Sequence, residues 1–188
     1  MELSYTFSQI CVIIAYLLCG IGFLHKSRIK ILYFSSYFNA FMLLQYVLLG
    51  GTMGIVASIV NLIRNILFIY NQKKNKPNSL ISLFVLFCIT IILTFCFYTS
   101  LIDLIPCCLA LLGTFTYWNS NTKVIRLCNL LCSVCYIVYA IPLKSFMIIV
   151  CEMYLIGTTI VGFIRNENIG DKSVRLLESK TSFQGNMC

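Results

Sequence analysis

The sequence predicts an all-α membrane protein with seven transmembrane helices. Of its 188 residues, 60% are hydrophobic and only 11% are charged, a composition far from that of soluble globular domains. Apolar runs of about 18 to 20 residues, the length that crosses roughly 30 Å of hydrocarbon, recur along nearly the whole chain. These runs are apolar on every side instead of alternating with polar residues, which indicates helices and not the strands of a membrane barrel.

The seven predicted helices follow one another with short connections. They are Phe7–Leu24, Ile31–Leu49, Thr52–Tyr70, Leu80–Tyr98, Leu101–Tyr117, Val124–Ile141 and Ser145–Ile164. We expect the first run to be retained as a helix and not to be a signal peptide, because its basic cluster follows the apolar stretch and its N-terminal side carries Glu2. We expect one transmembrane domain over residues 1–165 and a polar cytoplasmic tail over residues 166–188.

Positive charge is concentrated on one side of the predicted bundle. If seven helices alternate in direction, twelve of the 14 basic residues fall on the side of the first, third and fifth loops and the tail, and the other side holds Lys144. The twelve are Lys26, Arg28, Lys30, Lys73, Lys74, Lys76, Lys123, Arg126, Arg165, Lys172, Arg175 and Lys180. The positive-inside rule makes this side cytoplasmic, with the N-terminus outside and the C-terminus inside. We expect contact with anionic membrane lipids and no nucleic-acid partner.

A weak internal repeat divides the chain into two similar triplets of helices. A shift of 93 residues superposes the first three helices on the last three and pairs Gly20 with Gly113 and Lys30 with Lys123. We therefore expect two parallel three-helix bundles, helices 1–3 and helices 5–7, joined by a linker helix 4. Repeat one covers about residues 7–72, the linker helix about residues 79–98, and repeat two about residues 101–165.

The sequence contains no arrangement typical of an enzyme. It has no Ser-His-Asp set, no H-x-x-x-H motif and no phosphate-binding loop, and its one histidine is His25. Cys132 and Cys135 form a C-x-x-C motif, but their helix offers no histidine, carboxylate or basic group that would hold a thiolate, so we interpret them as packing residues. We expect no enzymatic activity, no catalytic residue, no metal and no cofactor.

The third helix carries polar residues where lipid would favour apolar ones. Asn61, Arg64 and Asn65 are spaced i, i+3 and i+4, so they project from one face. An arginine near the bilayer centre costs roughly 2.5 to 3.5 kcal/mol on insertion scales. Two interpretations of Arg64 remain open, because it lies about 9 Å from the helix end: a cytoplasmic anchor whose head reaches the interface, or part of a site. We expect Asn61 to face a polar interior.

The seventh helix contains a carboxylate, Glu152, about 10 Å below its outer end. No Lys or Arg lies four residues away, so the group must be protonated, solvated by a cavity or paired with a residue of another helix. Its level differs from that of Arg64 by about 8 Å, so an ion pair between the two would need adjacent helices. A structural ion pair or hydrogen bond between helices, and a role in proton coupling or solute binding, both remain open.

Further polar residues fall at similar levels. Gln45 of the second helix and Asn129 of the sixth are candidates for solute hydrogen bonds. Trp118, at the cytoplasmic end of the fifth helix, is either part of an aromatic belt or a ring that stacks on a solute. We predict a substrate-binding set of Asn61, Arg64, Gln45, Trp118, Glu152 and Asn129.

Two segments resemble a known family. "QYVLLGGTMGIVASIVNLIRN" (Gln45 to Asn65) and "LKSFMIIVCEMYLIGTTIVGFIR" (Leu143 to Arg165) are similar to the YgjV-type bacterial inner-membrane proteins, which are grouped with SWEET and PnuC-type transporters by their three-helix repeats. The most specific piece is the Asn-x-x-Arg motif that follows an LLG turn. The resemblance implies a multi-pass protein of the bacterial inner membrane with a transporter-like fold and a solute contact near the asparagine of this motif.

The first functional hypothesis is a SWEET-like carrier, either a facilitator or proton-linked, for an unidentified small polar solute bound between the two bundles. Asn61 and Gln45 would supply hydrogen bonds, and Arg64 would hold an anionic or carbonyl group. Glu152 would couple protons or seal a gate, and Trp118 would stack on the ligand or close over it.

The alternative is a non-transporting inner-membrane scaffold or lipid-interacting protein whose polar residues lock the helices together. A water-accessible cavity on which Asn61, Arg64 and Glu152 converge would favour the carrier, whereas a dry, fully paired core would favour the scaffold. Either protein could form a homo-oligomer.

Overall fold

The computed structural model describes residues 2–50, 52–76, 78–97, 104–119, 121–141 and 147–165. The regular structure in these ranges is helical. The helices are α1 (Glu2–Leu24), α2 (Arg28–Leu49), α3 (Thr52–Lys73), α4 (Leu80–Cys96), α5 (Leu104–Trp118), α6 (Thr122–Ala140) and α7, described over Met147–Arg165. The all-helical prediction of seven elements is confirmed, while the predicted tail and Lys144 lie outside the described residues.

Four of the helices, α1, α2, α3 and α7, are long and apolar enough to cross a membrane by length and composition. The apolar helices α4 and α5 are shorter, with 17 and 15 residues. The helix α6 has 19 residues and carries Lys123 and Arg126 in its first turns. Large apolar side chains such as Phe84 and Phe95 of α4 are exposed on the outside of the bundle, where a lipid environment suits them.

Polar capping residues define several helix ends. Ser79 and Asn121 precede α4 and α6, and the side chain of each accepts a hydrogen bond from the backbone N–H two residues later, at 3.2 Å and 2.9 Å. Such caps satisfy amides that a helix leaves without intrahelical partners. Gly50 ends α2 with φ of 70° and donates its N–H to carbonyls of the last turn, a left-handed conformation that favours glycine.

The last helix, α7, packs against the first, α1. The helix α2 lies against α1 and α3, and α5 lies against α3, α4 and α6. At the contact of α7 with α1, a side chain on Gly162 would collide with the Phe23 carbonyl oxygen, and Gly20 lies under the Tyr154 ring. Small residues thus allow these two helices to approach closely. The helix α1 is the most buried of the four long helices.

Arginines connect the helix ends at one end of the bundle, which we call the basic end. Arg28 of α2 donates to the Tyr117 carbonyl of α5 at 2.7 Å. Arg126 of α6 donates to the carbonyls of Phe23 and His25, at 3.3 Å and 2.8 Å, at the end of α1. These contacts satisfy carbonyls that the last turn of a helix leaves without partners and place positive charge at its negative end.

The same contacts establish the directions of the helices. Arg165 of α7 donates to the Leu24 carbonyl of α1 at 3.0 Å, and Gln72 of α3 accepts from Arg28 at 3.2 Å. Thus α1, α3, α5 and α7 all end at the basic end, and α2, α4 and α6 begin there. The basic residues of the first, third and fifth loops are therefore gathered on one side of the described structure.

Candidate functional site

The first buried polar cluster, the Arg64 junction, consists of Arg64 and Asn65 of α3, Ser35 of α2, and Thr114 and Tyr117 of α5. Arg64 donates through Nε and Nη2 to Asn65 Oδ1, both at 3.2 Å, and through Nη1 to Thr114 Oγ1 at 3.3 Å. Asn65 donates to Ser35 Oγ at 3.0 Å, and Ser35 is hydrogen-bonded to Tyr117. The guanidinium carbon lies 4.9 Å from the centroid of the Tyr117 ring. The five side chains form a closed network across three helices.

Arg64 is buried against neutral partners. Its side chain is 3% exposed, so it does not reach the interface as an anchor would. Its partners among the described residues are an amide, a hydroxyl and an aromatic ring, with no carboxylate. A buried charge is normally paired because desolvation costs several kcal/mol. Arg64 is therefore a buried cation whose described partners are all neutral.

The second cluster, the Glu152 junction, consists of Glu152 of α7, Tyr16 of α1 and Ser133 of α6. Tyr16 Oη donates to Glu152 Oε1 at 2.9 Å, and Ser133 is hydrogen-bonded to the same carboxylate. Glu152 is 3% exposed. About two helical turns closer to the basic end, Asn129 Nδ2 donates to Thr159 Oγ1 at 3.2 Å and continues the seam between α6 and α7.

The two buried charges do not form an ion pair with each other. Glu152 is bonded to hydroxyls of α1 and α6, and Arg64 to side chains of α3 and α5. One face of α6 lies near both groups: Cys132 is within electrostatic range of Glu152 and Arg64, and Tyr136 of Tyr16 and Arg64. The two groups therefore form no ion pair with each other, and the hydrogen bond from Tyr16 to Glu152 is the helix-to-helix hydrogen bond that the sequence also left open.

Asn61 lies apart from both junctions in a cleft between α3, α4 and α5. The cleft has a cavity volume of about 60 Å³, room for a few water molecules. Its polar lining is supplied by Asn61 and by Thr90 and Thr94 of α4. Neither Arg64 nor Glu152 lines it. The rest of the lining is apolar, and both threonine hydroxyls donate to carbonyls of their own helix. That Asn61 faces a polar interior therefore stays a prediction, and the three residues do not converge on this cleft.

Gln45 and Trp118 occupy other regions of the molecule. Gln45 lies ten residues, or about 15 Å, along α2 from Ser35, and its buried Oε1 has no hydrogen-bond partner among the described atoms. Trp118 lies at the basic end, where its indole N–H donates to the Asn78 carbonyl at 3.2 Å and its own carbonyl accepts from Asn78 Nδ2 at 2.7 Å. This reciprocal pair connects the end of α5 to the start of α4.

Sequence reasoning missed the hydroxyl partners of both charges. Ser133 lies one helical turn beyond Asn129, and this i, i+4 pair of polar residues in an apolar helix was a usable signal for the face that meets α7. For Tyr16, Ser35 and Thr114 there was no comparable signal, because hydroxyl residues are common in membrane helices and often bond to their own backbone.

Comparison with known proteins adds one match. A family model, Imp-YgjV, described as a bacterial inner membrane protein, matches residues 6–168. None of the curated proteins and none of the solved structures matches the chain at a significant level.

Proposed function

We propose that this chain, which belongs to the Imp-YgjV family of bacterial inner membrane proteins, is a carrier for a small polar solute bound between two three-helix halves. The observation that carries the proposal is the presence of two fully buried ionisable side chains, Arg64 and Glu152, each held by neutral groups. Ionisable residues within membrane segments are expensive and typically mark solute or ion pathways. The described cleft at Asn61 is not shared by Arg64 and Glu152, so the proposal rests on the burial of these two groups and not on a common cavity.

The arrangement of the two junctions supports a division into α1–α3 and α5–α7 with α4 as the linker. In this division α1 corresponds to α5, α2 to α6 and α3 to α7. The Arg64 junction is made by α3, by α2 of its own half and by α5 of the other half. The Glu152 junction is made by α7, by α6 of its own half and by α1 of the other half. The two charges thus occupy equivalent three-helix junctions at the interface between halves, where transporters built from repeats bind their solutes.

The arginines at the basic end support the same division. Arg28, at the start of α2, binds a carbonyl at the end of α5. Arg126, near the start of α6, binds carbonyls at the end of α1. Each half therefore caps the first helix of the other. We refer to these two contacts as the arginine latches.

The latches also suggest how access would alternate. We infer that the basic end faces the cytoplasm, because its loops carry the basic residues, and both latches hold the halves together there. Transport would require the latches to open while the halves rock about the buried junctions. Asn61 and its threonine-lined cleft would contribute polar contacts on the α4 side. Glu152 would serve as a gate or a proton-coupling group.

Binding and transport can be tested with the purified protein. A thermal-shift screen against sugars, nucleosides, vitamins and amino acids is expected to yield a stabilising solute. The shift should be lost in Asn61→Ala and Arg64→Met and retained in Ile66→Ala, a control on the same helix whose side chain is 61% exposed. The solute found should then enter proteoliposomes containing the wild-type protein.

The outcomes separate the two hypotheses. Binding with uptake supports the carrier. Binding without uptake, or no stabilising solute in the whole panel, contradicts the carrier and favours the non-transporting membrane scaffold, in which the polar residues only connect helices.

A further inference from the structure

The guanidinium of Arg64 has donors that no described residue accepts from. An arginine side chain carries five N–H groups in a planar fork. Three hydrogen bonds engage Nε, Nη1 and Nη2 once each, so one N–H on each terminal nitrogen is left over. A donor on each terminal nitrogen is what the two oxygens of a carboxylate can accept from. The Tyr117 ring below the guanidinium fixes its plane.

The Glu152 carboxylate has complementary properties. Its partners are the hydroxyls of Tyr16 and Ser133, and the other titratable groups in its electrostatic range include the thiols of Cys19, Cys132 and Cys151. Among the described residues no lysine, arginine or histidine is paired with it. A carboxylate accepts up to about four hydrogen bonds, so acceptor positions are left for a cationic group.

A common face connects the two groups. Cys132 and Tyr136, one turn apart on α6, lie near both junctions. In the division into two halves proposed above, the axial separation of the charges is also limited. A shift of 93 residues carries Arg64 to position Gly157, five residues after Glu152, which corresponds to about 8 Å along the helix. A single small molecule extending along this face of α6 could therefore contact both charges.

We propose that the solute is a zwitterion whose carboxylate binds Arg64 and whose ammonium group binds Glu152, an inference that rests on the carrier function proposed above. Such a solute pairs both buried charges at once. It also brings no net charge into a low-dielectric interior, where an anion or a cation alone would leave one protein charge uncompensated.

The decisive experiment uses the wild-type protein and matched probes. Apparent affinity is measured by thermal shift for unbranched ω-amino acids from glycine to 6-aminohexanoate. Each probe is paired with its N-acetyl derivative, which lacks the cation, and its amide, which lacks the anion. One chain length is expected to bind best, and both of its derivatives should bind at least about 30-fold more weakly, the loss typical of removing one partner from a buried charge pair.

Variants then assign each end of the probe to a residue. Arg64→Met should abolish the preference for the amino acid over its amide, and Arg64→Lys, which keeps the charge but not the fork, should retain part of it. Glu152→Gln should abolish the preference over the N-acetyl derivative. Ile66→Ala is the control and should leave both preferences unchanged.

Other outcomes contradict the proposal in distinguishable ways. If both derivatives bind as well as the parent amino acid, or if an uncharged sugar or nucleoside is bound and transported instead, the zwitterion assignment is wrong while the carrier function stands. If the N-acetyl derivative alone retains affinity, the solute is a simple anion and Glu152 is not its partner. If no compound in either panel binds, both proposals fail.

Discussion

The Arg64 junction and the Glu152 junction use the same helices of the two proposed halves but different chemistry. At the first, most partners of Arg64 also have partners of their own: Asn65 bonds to Ser35, Ser35 to Tyr117, and Thr114 to the Ala110 carbonyl of its own helix. At the second, the carboxylate is itself the acceptor for the hydroxyls of Tyr16 and Ser133. Glu152 therefore organises its neighbours, whereas the partners of Arg64 are largely organised without it. The two junctions thus use corresponding helices, but Glu152 contributes more than Arg64 to holding its neighbours in place.

The largest effect is expected at another buried arginine, Arg126, which serves as the reference for the two junctions. Arg126 is 2% exposed and binds the carbonyls of Phe23 and His25. Replacing it with methionine is expected to lower the unfolding free energy by about 2 to 3 kcal/mol, because charge-assisted bonds to helix-end carbonyls are lost. Unfolding in mixed micelles measures the change, and Lys30→Met, an exposed lysine at the same end of the bundle, should stay within about 0.5 kcal/mol. A loss below about 1 kcal/mol would show that the latch does not stabilise the bundle.

The next largest effect is expected at Glu152. Glu152→Leu leaves the hydroxyls of Tyr16 and Ser133 buried without their acceptor and should cost about 2 kcal/mol of unfolding free energy. Glu152→Gln keeps an acceptor oxygen and should cost less than about 1 kcal/mol. The same micelle titration measures both variants. Equal losses would mean that the negative charge, and not the acceptor geometry, holds this junction together.

A smaller effect on stability is expected at Arg64. Arg64→Met loses bonds to Asn65 and Thr114 but also removes an uncompensated buried charge, and these opposing effects should leave the unfolding free energy within about 1 kcal/mol of wild type. Solute binding should nevertheless be lost, because stability and function separate at sites kept for activity. A loss as large as that of Arg126→Met would make Arg64 a structural residue and remove the contrast between the junctions.

The smallest effect is expected for the hydrogen bond between Asn129 of α6 and Thr159 of α7, next to Glu152. The hydrogen bond from Asn129 to Thr159 joins α6 and α7 between side chains, and such bonds in membrane proteins contribute roughly 0.6 kcal/mol on average. A double-mutant cycle of Asn129→Ala and Thr159→Val should give a coupling energy of about that size. A coupling above about 1.5 kcal/mol would indicate that this pair, and not Glu152, fastens α7 to α6.

The order of the helices was predictable, while several boundaries were not. Apolar runs located all seven helices, since each run is set by local composition. The predicted start of α2 at Ile31 was three residues late, because the helix begins after the polar cap Ser27, at Arg28. Ser79 and Asn121 occupy the same N-cap position before α4 and α6, and unlike Ser27 their side chains also accept a backbone N–H. Such residues in the sequence were a signal that apolar runs alone overlook.

The polar site was predictable only in part. Asn61, Arg64 and Glu152 were identifiable because lipid penalises such groups wherever they face it. Their hydroxyl partners were not, since a buried hydroxyl can bond to its own helix or to another. Thr116 donates to the Leu112 carbonyl of its own helix, whereas Ser133 bonds across to Glu152. These two roles look alike in the sequence.

The sequence by itself determined that the protein belongs in a membrane, that it has seven helices in this order, and that a few polar groups must be shielded from lipid. These properties follow from the transfer of each segment out of water, which depends on local composition. Only the tertiary structure decided that Arg64 and Glu152 lie in separate junctions with neutral partners, that Asn61 lines a different cleft, and that arginines connect the helix ends. These features depend on how each helix is rotated and which neighbour it meets, and that is set by side-chain packing between segments far apart in the chain.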